Sequence, residues 1–137
     1  MKKLIYMLMV LFFVGFLMSS VNAQEDVGRL LQELENSSDR FSKSFDNALD
    51  NSEINGTSTE GDATRYVKDF EDSIDHLKKE YDGGKETKVA AAEVLQRARL
   101  INSMMRRYKF NATTQTDWRT VKIDLNRLAK AYRLKKL

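Results

Sequence analysis

Apolar residues recur every three or four positions in four separate segments of this chain. Such spacing places them along one side of an α-helix, so each segment is predicted to form an amphipathic helix. The predicted helices span residues 25–49, 62–81, 87–108 and 116–133. No stretch of useful length alternates apolar and polar residues, as a half-buried β-strand would. The pattern therefore predicts an all-α fold.

The apolar stripes also predict which residues form the core. Ser38 is a polar interruption of the first stripe, and we expect Met104 and Met105 to fill core space on the third helix. Trp118, Tyr108 and Tyr132 are expected in the core or at its edge, because their rings pack while their polar atoms reach the rim. The stripes comprise Val27, Leu30, Leu34, Phe41, Phe45 and Ala48, then Tyr66, Phe70, Ile74, Leu77 and Tyr81, then Ala91, Val94, Ala98, Ile101, Met105 and Tyr108, and finally Trp118, Val121, Leu125, Leu128 and Tyr132.

The connections between the predicted helices are short and rich in turn-forming residues. Asn55-Gly56 lies in the first connection, and Gly83-Gly84 follows the second helix, where glycine takes the left-handed conformation of a C-cap. The chain has no proline that would break a helix. Short connections favour antiparallel neighbours, so the predicted architecture is an antiparallel up-down-up-down four-helix bundle.

Two kinds of local pattern refine the helix ends and the exposed helix faces. Thr59-x-x-Asp62 and Thr114-x-x-Asp117 resemble capping boxes and predict the starts of the second and fourth helices. Opposite charges four residues apart predict ion pairs on solvated faces. These pairs are Glu25–Arg29, Asp39–Lys43, Asp75–Lys79 and Glu93–Arg97.

Residues 1–23 have the three-part pattern of a secretory signal peptide. Lys2 and Lys3 precede an apolar run from Leu4 to Met18, and small or modest residues lead up to Ala23. Cleavage near Ala23 would release residues 24–137 as one domain, into the periplasm or the medium. The alternative is an uncleaved N-terminal anchor, although the run is shorter than the roughly 20 apolar residues that span a bilayer.

Charge is distributed unevenly between the two halves of the predicted domain. Residues 24–82 contain 16 acidic and 7 basic side chains, whereas residues 83–137 contain 4 acidic and 14 basic side chains. In an antiparallel bundle, the acidic helix pair would lie against the basic pair. The simplest interpretation is therefore internal, with complementary charges that fix helix pairing and register.

Few residues suggest catalysis or metal binding. The chain has no cysteine, which rules out disulfides, thiolate zinc sites and cysteine nucleophiles. A di-iron carboxylate site needs Glu-x-x-His on two helices, but the chain has one histidine, His76, with Ser73 three residues before it. The loop from Asp50 fails the EF-hand register, since Ile54 and Asn55 occupy its fifth and sixth positions. We expect no cofactor, no metal and no enzymatic activity, and we expect His76 to be a surface residue.

Several strings together resemble a group of uncharacterised exported bacterial proteins predicted to be helical bundles. They include Phe70-Glu71-x-x-Ile74-Asp75 and, as the most specific part, Trp118-x-x-Val121-x-x-Asp124-Leu125-x-x-Leu128-Ala129-x-Ala131-Tyr132. The resemblance covers most of residues 24–137. It implies export and a helical bundle, and it implies no activity or site residues.

The basic half holds the candidate binding residues. A basic amphipathic helix can lie on an anionic membrane surface, and the same charges can hold a polyanion. Export argues against an intracellular nucleic-acid target. The candidate anionic-partner patch comprises Arg106, Arg107, Lys109, Lys130, Arg133, Lys135 and Lys136.

The leading hypothesis is a non-enzymatic exported protein that binds an envelope component, an unidentified protein or another copy of itself. The alternative is a membrane-surface or polyanion-binding protein that uses the basic face of the last two helices.

Overall fold

The computed structural model describes residues 27–137, so the predicted signal peptide and Glu25 lie outside the described residues. The described chain forms four helices and no strand, which confirms the all-α prediction. Helix α1 covers residues 27–49, α2 Ser58–Asp82, α3 Lys88–Arg107 and α4 Ala112–Ala131.

Side-chain contacts show that α1 and α4 run antiparallel. Ser37 Oγ of α1 donates to Asp124 Oδ2 of α4 at 2.8 Å. Two turns further along α1, the carbonyl of Ser44 accepts a hydrogen bond of 3.0 Å from Thr114 Oγ1, ten residues earlier on α4. Because α4 numbering falls as α1 numbering rises, the first and last helices are paired in opposite directions.

The other neighbours are antiparallel as well, since Ser42 bonds to Glu71, Asp62 and Arg107 line one groove, and Thr87 bonds to Tyr132. Lys78 of α2 pairs with Glu35 of α1, while Arg97 of α3 lies 3.7 Å from the Asp69 carboxylate of α2. Trp118 Nε1 of α4 donates to Asn102 Oδ1 of α3 at 3.2 Å. The helices thus follow one another around a closed ring, which confirms the predicted up-down-up-down bundle.

The core is built on the predicted stripes, and Trp118 lies at its centre. The Trp118 ring is 5.0 Å from the Phe41 ring of α1 and 6.1 Å from the Phe70 ring of α2, measured between centroids. With its bond to Asn102, the indole contacts all three other helices. Met104 and Met105 are buried as predicted, and Tyr108 and Tyr132 pack at the core edge.

The connections add core residues that helical periodicity does not reveal. Ile54, between α1 and α2, and Phe110, between α3 and α4, are both buried, and the Phe110 ring is 5.3 Å from the ring of Phe45. The core also holds polar side chains. Ser38 Oγ is the buried side-chain polar atom that has no hydrogen-bond partner in the described part of the chain.

Two helices begin earlier than the capping boxes predicted. Helix α2 starts at Ser58 with Thr57 as N-cap, and α4 starts at Ala112 with Asn111 as N-cap. The Asn111 side chain accepts a hydrogen bond of 2.9 Å from the amide of Thr114. Both predicted capping boxes are therefore wrong, because Thr59 and Thr114 already lie inside the first helical turn. At the other end of α2, Gly84 is left-handed, with φ of 70°, as expected.

Residues 132–137, here called the return segment, fold back over the bundle after α4. Arg133 is left-handed, with φ of 54°, and the amide of Leu134 donates to the carbonyl of Ala129 at 2.7 Å. Further on, Arg99 Nη2 of α3 donates to the carbonyl of Lys135 at 3.1 Å. The amide of Leu137 donates to Asn126 Oδ1 of α4 at 3.1 Å. The segment therefore lies across both α3 and α4.

Candidate functional site

The outer surface between α3 and α4 is lined by basic side chains. On α3, Arg99 and Arg106 occupy the same side as Asn102, which faces α4 through its bond to Trp118. On α4, Lys122 and Asn126 lie on the side that faces α3, opposite the side of Asp124 that faces α1. We call this surface the basic face. It comprises Arg99, Arg106, Arg119, Lys122, Lys130, Arg133, Lys135 and Lys136.

The three acidic side chains of residues 88–137 lie away from the basic face. Asp124 points toward α1, where it accepts from Ser37. Asp117 precedes it by seven residues and shares that side of α4. Glu93 points toward α2, beside Arg97 at 3.4 Å. Within residues 88–137, the basic face therefore has no acidic member.

The structure divides the candidate patch into two groups. Arg106, Arg107 and Lys109 lie where α3 ends and α4 begins, whereas Lys130 and the return segment lie at and beyond the far end of α4. A helix of 20 residues is about 30 Å long, so the two groups occupy opposite ends of the bundle. Arg99, Arg119 and Lys122, which the candidate patch omits, lie between them. Helical spacing along α3 and α4 is the signal that identifies these three residues.

Arg107 differs from the other members of the candidate patch. Its guanidinium lies 5.8 Å from the ring centroid of Tyr108. Together with Asp62, Tyr66 and Leu100, it lines an open groove of about 270 Å³ between α2 and α3. Arg107 is therefore turned toward α2, and we do not include it in the basic face. Lys109 is exposed in the connection between α3 and α4 and is not a member of that face either.

The return segment fixes the position of its own lysines. Leu134 and Leu137 are partly buried against the core, and the backbone of Lys135 is held by Arg99. Lys135 and Lys136 themselves are exposed. The segment thus brings two further cations onto the α3–α4 surface, next to Arg99.

Internal pairing accounts for only part of the charge distribution. Arg127 pairs with Glu33 of α1, Arg97 pairs with Asp69 of α2, and Lys85 pairs with Glu80 at the end of α2. The basic-face residues form no ion pair with any residue of 27–137. The prediction that opposite charges mainly fix helix pairing is therefore correct for a few residues and wrong for most of the basic half.

The outer surface between α1 and α2 is acidic. On α1, Glu35, Asp39 and Asp46 share the side that faces α2, and Lys78 of α2 bonds to Glu35. On α2, Glu71, Asp75 and Asp82 share the side of Lys78. We call these six carboxylates the acidic face. In the closed ring of helices, it lies on the opposite side of the bundle from the basic face.

Glu71 shows how concentrated the negative charge is. Burial raises the pKa of its carboxyl group, and the neighbouring carboxylates of Asp39, Asp46 and Asp75 raise it further. The Ser42 hydroxyl donates to Glu71 and opposes the shift. Carboxylates from both helices therefore act on one another across this surface.

Two of the predicted ion pairs on helix faces do not form. Arg97 Nη2 is 3.4 Å from Glu93 Oε1, as predicted. The structure shows no ion pair between Asp39 and Lys43 or between Asp75 and Lys79, all of which lie in the described chain. The fourth predicted pair involves Glu25, outside the described residues.

The described residues contain no cluster of three or more His, Asp or Glu side chains arranged to hold a metal ion. His76 is exposed, as predicted, and lines a shallow depression with Asp72 and Arg97. The first connection is a turn, in which Asn55 Nδ2 donates to the carbonyl of Asp50 at 2.6 Å and Gly56 has φ of 74°.

Between residues 27 and 137, no helix combines the length and the apolar character needed to cross a bilayer.

No protein-family model, curated protein or solved structure matches this chain. The resemblance to exported bacterial bundle proteins, drawn from the sequence, stays a prediction.

Proposed function

We propose that this protein is a non-enzymatic interaction protein that acts outside the cytoplasm and holds an anionic partner on its basic face. The observation that carries the proposal is the uncompensated charge of that face. Eight cations line it, and none forms an ion pair with a described residue. Unpaired surface cations attract anions at a range set by ionic strength.

The chemistry of the face suits phosphate, sulfate or carboxylate groups. Arginine offers a planar fork of donors for such groups, and lysine offers a mobile point charge. Ile123 is 58% exposed on the outer side of α4, within about one turn of Arg119 and Lys122. Basic side chains around an apolar one suit the headgroup region of an anionic bilayer, whereas a soluble polyanion would use the cations alone.

The proposal is tested by binding to two anionic probes. One probe is a vesicle containing phosphatidylglycerol, and the other is dextran sulfate in solution. The test variant R106Q/R119Q/K130Q removes three exposed cations from the basic face. The matched control R40Q/K43Q/K79Q removes three exposed cations from α1 and α2. Net charge therefore changes equally in both.

Each cation near an anionic surface contributes about 1 kcal/mol, so we expect the test variant to bind vesicles about 100-fold more weakly. The control should bind about as tightly as the wild type, and wild-type binding should weaken steeply with salt. Equal weakening in both variants would show attraction by net charge alone and would overturn the proposal. Binding to vesicles but not to dextran sulfate would identify the partner as a membrane surface.

The proposed location outside the cytoplasm is supported by the sequence of residues 1–23. Mass spectrometry of the protein recovered from periplasm or medium should give the mass of a chain that begins at Gln24. A full-length mass confined to the membrane fraction would instead support the uncleaved anchor.

A further inference from the structure

The two charged faces lie on opposite sides of one bundle. The acidic face belongs to α1 and α2, and the basic face to α3 and α4 and the return segment. Both sets of side chains are presented outward, and most of their members are exposed. One molecule therefore carries a complementary pair of surfaces directed away from each other.

We infer that the basic face of one copy binds the acidic face of a second copy, so that the protein assembles face to face in an open series. The inference rests on the proposed function, since it names the acidic face as the anionic partner. The protein would then form linear assemblies whose length depends on protein concentration and salt.

The α4 row of the basic face matches both rows of the acidic face in length. On the acidic face, Glu35 to Asp46 and Glu71 to Asp82 each span eleven positions. On the basic face, Arg119 to Lys130 also spans eleven positions. At 1.5 Å per residue, each row extends over about 16 Å, so rows of opposite charge can align along their whole length.

The facing charges are available for pairing. Asp39, Asp46 and Asp75 are exposed and form no ion pair with any residue of 27–137. Their mutual repulsion is evident at Glu71, whose pKa these carboxylates raise. A cationic surface set against them would relieve that repulsion and the corresponding repulsion among the arginines and lysines.

The placement of the faces determines the kind of assembly. A closed two-fold dimer buries the same surface on both copies, and two acidic or two basic faces would repel each other. Contacts between unlike surfaces on opposite sides of a protomer leave one free surface at each end. Such contacts repeat, so the geometry predicts an open series of copies.

Two variants that each retain one face test this inference. D39N/D46N/D75N neutralises the acidic face, and R106Q/R119Q/K130Q neutralises the basic face. All six positions are exposed, and circular dichroism checks that both variants stay folded. Association is measured by analytical ultracentrifugation at about 20 mM and 500 mM salt, where the Debye length falls from roughly 20 Å to under 5 Å.

For the wild type at low salt, we expect an average mass that rises continuously with concentration and returns to that of a monomer at high salt. Each variant alone should be monomeric, and an equimolar mixture should form a dimer and nothing larger. The control R40Q/K43Q/K79Q should assemble at least as strongly as the wild type. A monomeric wild type at low salt, a monomeric mixture, or variants that associate alone would each overturn the inference.

The variant D39N/D46N/D75N separates failure of this inference from failure of the proposed function. It retains the basic face and should bind phosphatidylglycerol vesicles as the wild type does. If it binds vesicles but does not pair with R106Q/R119Q/K130Q, self-assembly is wrong and the proposed function stands. If it binds neither, both are wrong.

Discussion

Ser37 of α1 donates a hydrogen bond of 2.8 Å to Oδ2 of Asp124 on α4, and both residues are buried. The other carboxylate oxygen, Oδ1, accepts from Arg127 at 3.2 Å, and Arg127 also pairs with Glu33 of α1. A buried carboxylate is tolerated only when it is hydrogen-bonded, and here its partners come from both helices. This network joins the first and last helices of the bundle.

Removing the Ser37 hydroxyl should weaken this junction. We expect Ser37→Ala to lower the free energy of unfolding by about 1–3 kcal/mol, because Asp124 would lose one of its two donors in a buried setting. Urea denaturation followed by circular dichroism measures the change. Ser44→Ala is the matched control, since the Ser44 hydroxyl bonds only to Phe41 of its own helix. Equal losses of unfolding free energy in the two variants would show that the Ser37–Asp124 bond does not add to stability.

Replacing Trp118 should destabilise the whole bundle, because its ring contacts the three other helices. Trp118→Ala is expected to cost about 3–5 kcal/mol of unfolding free energy, as large-to-small core changes do. Trp118→Phe keeps an aromatic ring but loses the donor to Asn102, so its cost should be about 1–2 kcal/mol. Urea denaturation followed by circular dichroism distinguishes them. A loss below about 1 kcal/mol for the alanine variant would show that the indole is not central to stability.

The N-cap of α4 gives a third prediction. Asn111 Oδ1 accepts from the amide of Thr114 at 2.9 Å and lies 3.0 Å from the Thr114 hydroxyl. Asn111→Ala should therefore lower stability by about 0.5–2 kcal/mol, whereas Asn111→Asp keeps the acceptor and should cost far less. Thermal unfolding gives the melting temperatures of the two variants. Similar melting temperatures would show that the side-chain cap of Asn111 is not what stabilises the protein at this position.

The burial of Glu71 and the carboxylates around it predict a pH dependence. The pKa of Glu71 lies above its ordinary value of 4.5 in the folded protein, so the ionised form destabilises the fold at neutral pH. Protonation favours the folded state as pH falls through the folded pKa. Glu71→Gln should raise stability at pH 7 by about 0.5 kcal/mol, given the like charge of Asp75 four residues away. This advantage should disappear as pH falls toward 4.5.

Urea denaturation at pH 7 and at pH 4 measures the Glu71 effect. The exposed Glu53, in the first connection, supplies the control Glu53→Gln, which should change stability little at either pH. A stabilisation of Glu71→Gln that is the same at both pH values would mean that ionisation of Glu71 is not its cause.

The helices and most of the core follow from the sequence, because apolar spacing reports directly which side of a helix is buried. Leu34, Phe41 and Phe70 are buried as their spacing predicts. Ile54 and Phe110 were missed because they lie in connections, where helical periodicity carries no information. Asp124 was missed because a carboxylate looks like a surface residue until its partner Ser37, 87 positions away, is known.

The candidate site was predicted less completely than the fold. Counting charge by halves identified the basic half, but it could not show on which side of the bundle each charge lies. Arg127 and Arg119 are eight residues apart on α4, yet one pairs with Glu33 and the other is exposed on the basic face. Only the arrangement of helices around the ring distinguishes them, and that depends on contacts between residues far apart in sequence.

Because α1 packs against α4, the ring of helices is closed by the parts of the described chain that are made first and last. Phe41 is synthesised before Trp118, which is 77 positions later. The contact between their rings can therefore form only after α4 has emerged from the ribosome. A nascent chain that ends before α4 would leave the seam between α1 and α4 open to water. Truncation before α4 should therefore abolish folding rather than merely remove one helix.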